Sequence, residues 1–243
     1  MSDFNEFDQQ GSVPARETGS IVSHAFEMYK GIFLYALLAM GIYIVGSWLV
    51  QMLSGFDSMS FMEYAQNSGS YGSFDYFAVP GLKSYYAFSG LFGILASPLY
   101  VGLIYIANKF NNKEQIQVGD LFIGYRQNFV NILLYSLITN IILMISVMLC
   151  IIPVFFVFPL FFIGYPILLF ENASVGDALS KSFNIAKENY GTFLGASFLG
   201  ILISIAGIII CGIGIIATAF FITAVMYSTY VAYAGKPRQL LNQ

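Results

Sequence analysis

The chain has 243 residues, of which 58% are hydrophobic and only 9% charged, and its formal net charge is −3. Soluble domains usually carry about a quarter charged residues. So much apolar surface requires lipid, and without a basic surplus nucleic acid is excluded as a partner. Cys150 and Cys211 lie in apolar runs and match neither a disulfide framework nor a zinc spacing, so they read as inert membrane thiols.

Residues 1–16 are polar, with scattered acids, Gly11 and Pro14, which is the composition of a disordered tail. The start lacks the basic region and apolar core of a cleaved signal, so the first membrane helix is expected to direct insertion. From Phe33 to Leu53 the chain is apolar and uncharged, enough at helical rise to cross about 30 Å of hydrocarbon. Residues 54–85 form a loop rich in Ser, Gly, Tyr and Phe. A second span over about 86–108 ends at Lys109.

Two longer apolar blocks follow, Asn128 to Phe170 and Gly191 to Tyr233, each 43 residues and free of charge. At helical rise each is about 64 Å, twice a membrane thickness, and is therefore expected to be a hairpin. Pro153 and Gly212-Ile213-Gly214 are the expected reversal points. The spans are then about 33–53, 86–108, 128–150, 153–170, 191–211 and 214–234, with a tail over 235–243.

With six spans, nine of the ten Lys and Arg residues fall on one side and only Lys83 on the other. Because basic loops stay inside, both termini are expected in the cytoplasm and the protein in the cytoplasmic (inner) membrane.

Three segments on the basic side precede a membrane block: Thr18 to Ile32, Val118 to Phe129 and Val175 to Tyr190. Each reads as a short amphipathic helix. In the third, Val175, Ala178, Leu179, Phe183 and Ala186 share one face, and Asp177, Lys181, Asn184 and Lys187 the other. Ser174 and Asp177 read as a capping-box start, and Asp177 with Lys181 as an i, i+4 ion pair. The first repeats the pattern with Ile21, Val22, Ala25, Phe26 and Tyr29 against Ser23, His24, Glu27 and Lys30. A shift of 157 residues aligns Gly19 with Gly176, Ser23 with Ser180, Phe26 with Phe183 and Lys30 with Lys187. The middle copy keeps Val118-Gly-Asp120. The chain therefore reads as all-α, three degenerate units of an amphipathic helix leading into a two-span hairpin.

Lys30, Arg126, Lys181 and Lys187 are the candidate lipid- or partner-facing residues, since basic amphipathic helices meet anionic headgroups. Ala196, Gly200, Ser204 and Gly207 recur at packing spacing in the fifth span, as Gly90, Gly93 and Ser97 do in the second. Asn140 is the most central polar side chain and is expected to bond a neighbouring helix. Pro159 and Pro166 should kink the fourth span, as helices of transporters are broken. His24 is the one histidine and is placed on a solvated polar face, which excludes a multi-histidine metal site. Glu171 is placed to cap the helix that follows it. No intramembrane ionisable residue, catalytic constellation or cofactor motif is read, so no cofactor is expected.

The stretch PILLFENASVGDALSKSF from Pro166 to Phe183, with GIIICGIG from Gly207 to Gly214 and a Tyr-rich last span, resembles a group of uncharacterised bacterial membrane proteins. These are similar to the membrane domain attached to some glycerophosphodiester phosphodiesterases. The resemblance covers about residues 118–234. That activity resides in a separate soluble domain to which nothing here corresponds, so the resemblance implies an all-helical membrane module without catalytic residues. Two functions are left open: a non-enzymatic module organising partners or lipids at the cytoplasmic face, and a transporter or exporter of small amphiphilic molecules.

Overall fold

The structure is a computed structural model and describes residues 11–59, 61–62, 66, 79–149, 151–209 and 214–237. Helix accounts for 83% of these and none is in a strand, which makes the class all-α. In chain order the elements are α1 (Thr18–Ser54), α2 (Leu82–Asn111), a 3-10 turn (Val118–Phe122), α3 (Ile123–Arg126) and α4 (Phe129–Leu149). Then come α5 (Ile151–Val157), a 3-10 turn (Phe158–Phe161), α6 (Gly164–Phe170), α7 (Val175–Glu188), α8 (Tyr190–Ala206), a 3-10 turn (Gly207–Ile209), α9 (Ile215–Thr218) and α10 (Phe221–Ala234).

Six stretches are long and apolar enough to cross a membrane: Thr18–Ser54, Leu82–Asn111, Phe129–Leu149, Ile152–Phe170, Tyr190–Ile209 and Ile215–Ala234. The chain is a multi-pass membrane protein. Most of the loop between the first two spans, and the points at Cys150, Cys211, Gly212 and Ile213, lie outside the described residues.

The chain forms two compact units, residues 1–40 with 97–243, and residues 41–96. In the smaller unit the second half of α1 and the first half of α2 meet through Tyr43 and Phe92, whose rings lie 5.3 Å apart. The bare backbone of Gly46 accommodates the Phe92 ring. Beside Gly90 and Gly93 there is open space.

In the larger unit α10 is the core. It is buried at Phe221 and from Thr223 through Ala232, on every face, as befits a helix surrounded by others. The first turns of α1 lie along it, burying Ile21, Ala25, Met28, Tyr29 and Ile32. The Tyr29 hydroxyl donates to the Ala217 carbonyl at 2.8 Å.

The segment expected as a separate first helix, Thr18–Ile32, is instead the opening of one 37-residue helix. At about 1.5 Å per residue that helix is roughly 55 Å long, well beyond a hydrocarbon core of about 30 Å. The middle segment is likewise not one helix but a 3-10 turn followed by the four residues of α3. Its backbone lies directly on α2. A Cβ at Gly102 would strike the Leu121 carbonyl, and one at Gly124 would sit 2.6 Å from the Pro98 oxygen, so both contacts need glycine.

Pro153 does not mark the reversal between spans three and four. It occupies the first turn of α5, where a helix has no bond for proline to remove. The fourth span is broken between α5 and α6 around Pro159 and Pro166. Its exposed backbone oxygens are taken by hydroxyls from three neighbouring elements. Tyr190 donates to the Phe156 carbonyl at 3.0 Å, Ser182 to Leu160 at 3.0 Å, and Tyr135 to Phe161 at 2.6 Å. A broken helix in lipid survives only where its freed polar groups find such partners.

Spans five and six pack closely. Ala196, Gly200, Ser204 and Gly207 are all buried. Gly200 faces Ile222 and Val225, and Gly207 faces the Gly214 backbone. The Thr218 hydroxyl donates to the Ser204 carbonyl at 2.8 Å, while the Ser204 hydroxyl accepts from the Ile222 amide at 3.2 Å.

Candidate functional site

The polar chemistry of the larger unit gathers where its spans begin or end. The chain leaves α6 at Phe170 and reverses through residues 171–174, with Asn172 in the left-handed region at φ 48°, which asparagine tolerates better than most residues. The Asn128 amide fixes this reversal from the start of α4, donating to the Leu168 and Ala173 carbonyls at 2.9 Å each. Ser174 then caps α7, its hydroxyl oxygen accepting from the Asp177 amide at 3.2 Å.

α7 buries the small face Ala178, Ser182 and Ala186 and leaves Asp177, Lys181, Asn184, Lys187 and Glu188 exposed. Because Ser182 reaches Leu160, α7 folds back along the end of the fourth span. Lys181 is thereby carried to Glu171, and Nζ lies 2.6 Å from Oε2. The expected Asp177–Lys181 pair is not the one formed. Ser174 donates to the Asp177 carboxylate at 2.7 Å, and Glu171, expected to cap, is the partner of Lys181 instead. From α10, the Tyr230 hydroxyl donates to the other Glu171 oxygen at 3.0 Å.

These groups line a cavity of about 430 Å³ together with Phe170, Ala234 and Lys236. It carries two ammonium groups, one carboxylate and one phenol above an apolar wall. The Lys181 and Glu171 side chains keep 43% and 29% of their surface accessible, so their pairing contributes little stability and both remain reachable from solution.

A second, buried cluster ties residues 11–16 to the helices. His24 retains only 8% of its surface. One ring nitrogen bonds the Ser228 hydroxyl at 2.8 Å, and the other meets Ser12 at its carbonyl, 3.1 Å, and its hydroxyl, 3.0 Å. Asn111 joins in, its amide donating to the Ser12 carbonyl and the Tyr227 hydroxyl at 2.9 Å each. Tyr227 donates onward to Asn108 at 3.1 Å. Arg16 donates to the Ala232 carbonyl at 3.1 Å. His24 is therefore not solvated, and residues 11–16 are held rather than loose. Nearby, Lys109 and Asp120 pair at 2.9 Å with only 15% of each side chain accessible.

Of the four basic residues singled out from sequence, only Lys181 lines the cavity. Lys30 pairs with the exposed Glu27 at 2.8 Å. Arg126 and Lys187 are exposed in the last turns of α3 and α7, where a cation favours the helix C-terminus. Glu171, Tyr230 and Lys236 were not read as site residues, since their meeting depends on the fold-back of α7. Asn140 is exposed and bonds its own helix, donating to the Ser136 carbonyl at 2.7 Å, rather than a neighbour. No protein-family model, curated protein or solved structure matches the chain.

Proposed function

We propose that the chain is a non-enzymatic module of the cytoplasmic membrane, with both termini inside, that organises lipids or protein partners at its cytoplasmic face. The observation that carries this reading is the cavity at the ends of spans four and six, lined by Lys181, Lys236, Glu171 and Tyr230. The nine to one distribution of Lys and Arg supports the orientation. α7 supports the function, since it presents Lys181 and Lys187 beside the partly exposed Phe183, an amphipathic surface suited to anionic headgroups.

The broken fourth span favours a second reading, transport of small amphiphilic molecules. Its freed carbonyls are engaged by Tyr190, Ser182 and Tyr135 rather than offered to a substrate, which weighs toward the first.

The test is the double variant Lys181→Glu, Lys187→Glu, purified from membranes and assayed for co-purifying phospholipid and protein. Near an anionic surface each basic residue is worth about 1 kcal/mol, so association should fall at least about tenfold while the protein still inserts. Unchanged association in correctly inserted protein contradicts the proposal.

A further inference from the structure

The cavity beside α7 has a composition more specific than a basic patch. A site for a bare anion gathers cations. Here the Glu171 carboxylate stands between the Lys181 ammonium and the Tyr230 phenol, and Lys236 lines the same cavity. A ligand whose negative charge meets the two lysines and whose hydrogen-bond-donating positive charge, a few ångströms away, shares the Glu171 carboxylate with Lys181 and Tyr230 matches this arrangement.

The position of the cavity narrows the source. Phe170 is the last residue of the apolar stretch Ile152–Phe170, and Ala234 the last of Ile215–Ala234, so the cavity lies where two candidate membrane spans end. Phe170 and Ala234 give it an apolar wall on which the first carbons of a glycerol backbone can lie. Its volume of about 430 Å³ falls within the range of small-molecule sites, about 300–1,000 Å³.

Resting on the reading that this face engages lipids, we propose that the cavity of Glu171, Lys181, Tyr230 and Lys236 binds the zwitterionic headgroup of a phosphatidylethanolamine-type lipid. The phosphodiester lies between Lys181 and Lys236, and the primary ammonium lies against Glu171. Tyr230 holds the carboxylate in place through its hydroxyl. Glu171 is the selective element, because a carboxylate accepts charge-assisted hydrogen bonds from an ammonium but none from a trimethylated choline.

Native mass spectrometry of the full chain, titrated with phosphatidylethanolamine, phosphatidylglycerol or phosphatidylcholine of matched acyl chains, tests this. Phosphatidylethanolamine should bind about tenfold more tightly than phosphatidylcholine and more tightly than phosphatidylglycerol, one charge-assisted contact being worth about that factor. Glu171→Gln preserves shape and the Tyr230 hydrogen bond; it should abolish the preference over choline while binding itself persists. Lys181→Met should weaken all three lipids. Deacylated glycerophosphoethanolamine should bind at least about tenfold more weakly than the lipid, because it has no acyl chains to bury against the apolar ends of spans four and six.

Equal binding of ethanolamine and choline lipids by the native chain overturns the proposal, as does a preference untouched by Glu171→Gln in protein of native thermal stability. Stronger binding of phosphatidylglycerol overturns the role given to Glu171, and equal binding of the deacylated headgroup overturns a lipid source. Absence of headgroup selectivity in the native chain, with lipid association intact, refutes this proposal alone. Native association that also survives reversal of Lys181 and Lys187 refutes the broader reading.

Discussion

Tyr135→Phe probes the joint on which α7 and the fourth span depend. Tyr135 keeps 1% of its surface and donates to the Phe161 carbonyl at 2.6 Å, within the break between α5 and α6. Its ring also packs against Tyr165 at 5.1 Å between centroids. Phenylalanine preserves that ring contact and removes only the donor. The Phe161 carbonyl then loses its hydroxyl partner in a water-poor setting, a loss of about 1–3 kcal/mol. At this chain length 1 kcal/mol corresponds to roughly 2–4 °C, so a loss near 2 kcal/mol should lower the thermal midpoint by about 4–8 °C. Adding Ser182→Ala, which removes the donor to Leu160 at 3.0 Å, should deepen the loss, but not by a simple sum, because Ser182 and Tyr135 belong to one hydrogen-bond network. Scanning fluorimetry of detergent-solubilised protein reads both. A change below about 0.5 kcal/mol in the double variant would show that these hydroxyls do not hold the break together.

Gly102→Ala is predicted to destabilise by about 1–3 kcal/mol or more, since the added methyl meets the Leu121 backbone, which cannot rotate away. Gly119→Ala, with open space beside it, should change stability by no more than about 0.5 kcal/mol, and thermal unfolding of the pair separates a close-approach glycine from an incidental one. His24→Ala should cost about 1–3 kcal/mol by stranding Ser228 and Ser12, and should raise amide hydrogen exchange over residues 11–16 while α4 stays protected. Equal exchange in both proteins would mean that His24 does not secure this segment.

The six spans were legible because bilayer thickness sets a length that uncharged runs either meet or do not. What lay beyond reach was determined by contacts between distant segments. His24 was placed on the polar face by residue type, yet Ile21, His24, Ala25, Met28 and Tyr29 form one buried stripe, and Ser228 is the partner that makes an imidazole acceptable there. Shifted by 157 residues, Ile21, Ala25 and Tyr29 of that stripe coincide with the buried Ala178, Ser182 and Ala186 of α7, whereas His24 falls on the exposed Lys181 and Met28 on the half-buried Ile185, so burial repeats only in part. The first copy runs unbroken into its span, whereas the third is interrupted at Asn189. The Asp177–Lys181 pair was inferred from helix spacing, which is blind to Glu171 arriving from the turn before α7. The cavity was invisible for the same reason, since its lining comes from the end of α6, the middle of α7 and the end of α10.

The most direct measurement places a diazirine-bearing leucine analogue at position 234, on the wall of the cavity, and identifies what it captures in native membranes on illumination. The predicted product is the chain carrying one phospholipid, with ethanolamine headgroups enriched over their share of the membrane and the enrichment lost in Glu171→Gln. Capture of phospholipids in simple proportion to their abundance, or of no lipid at all, contradicts a headgroup site at the end of spans four and six.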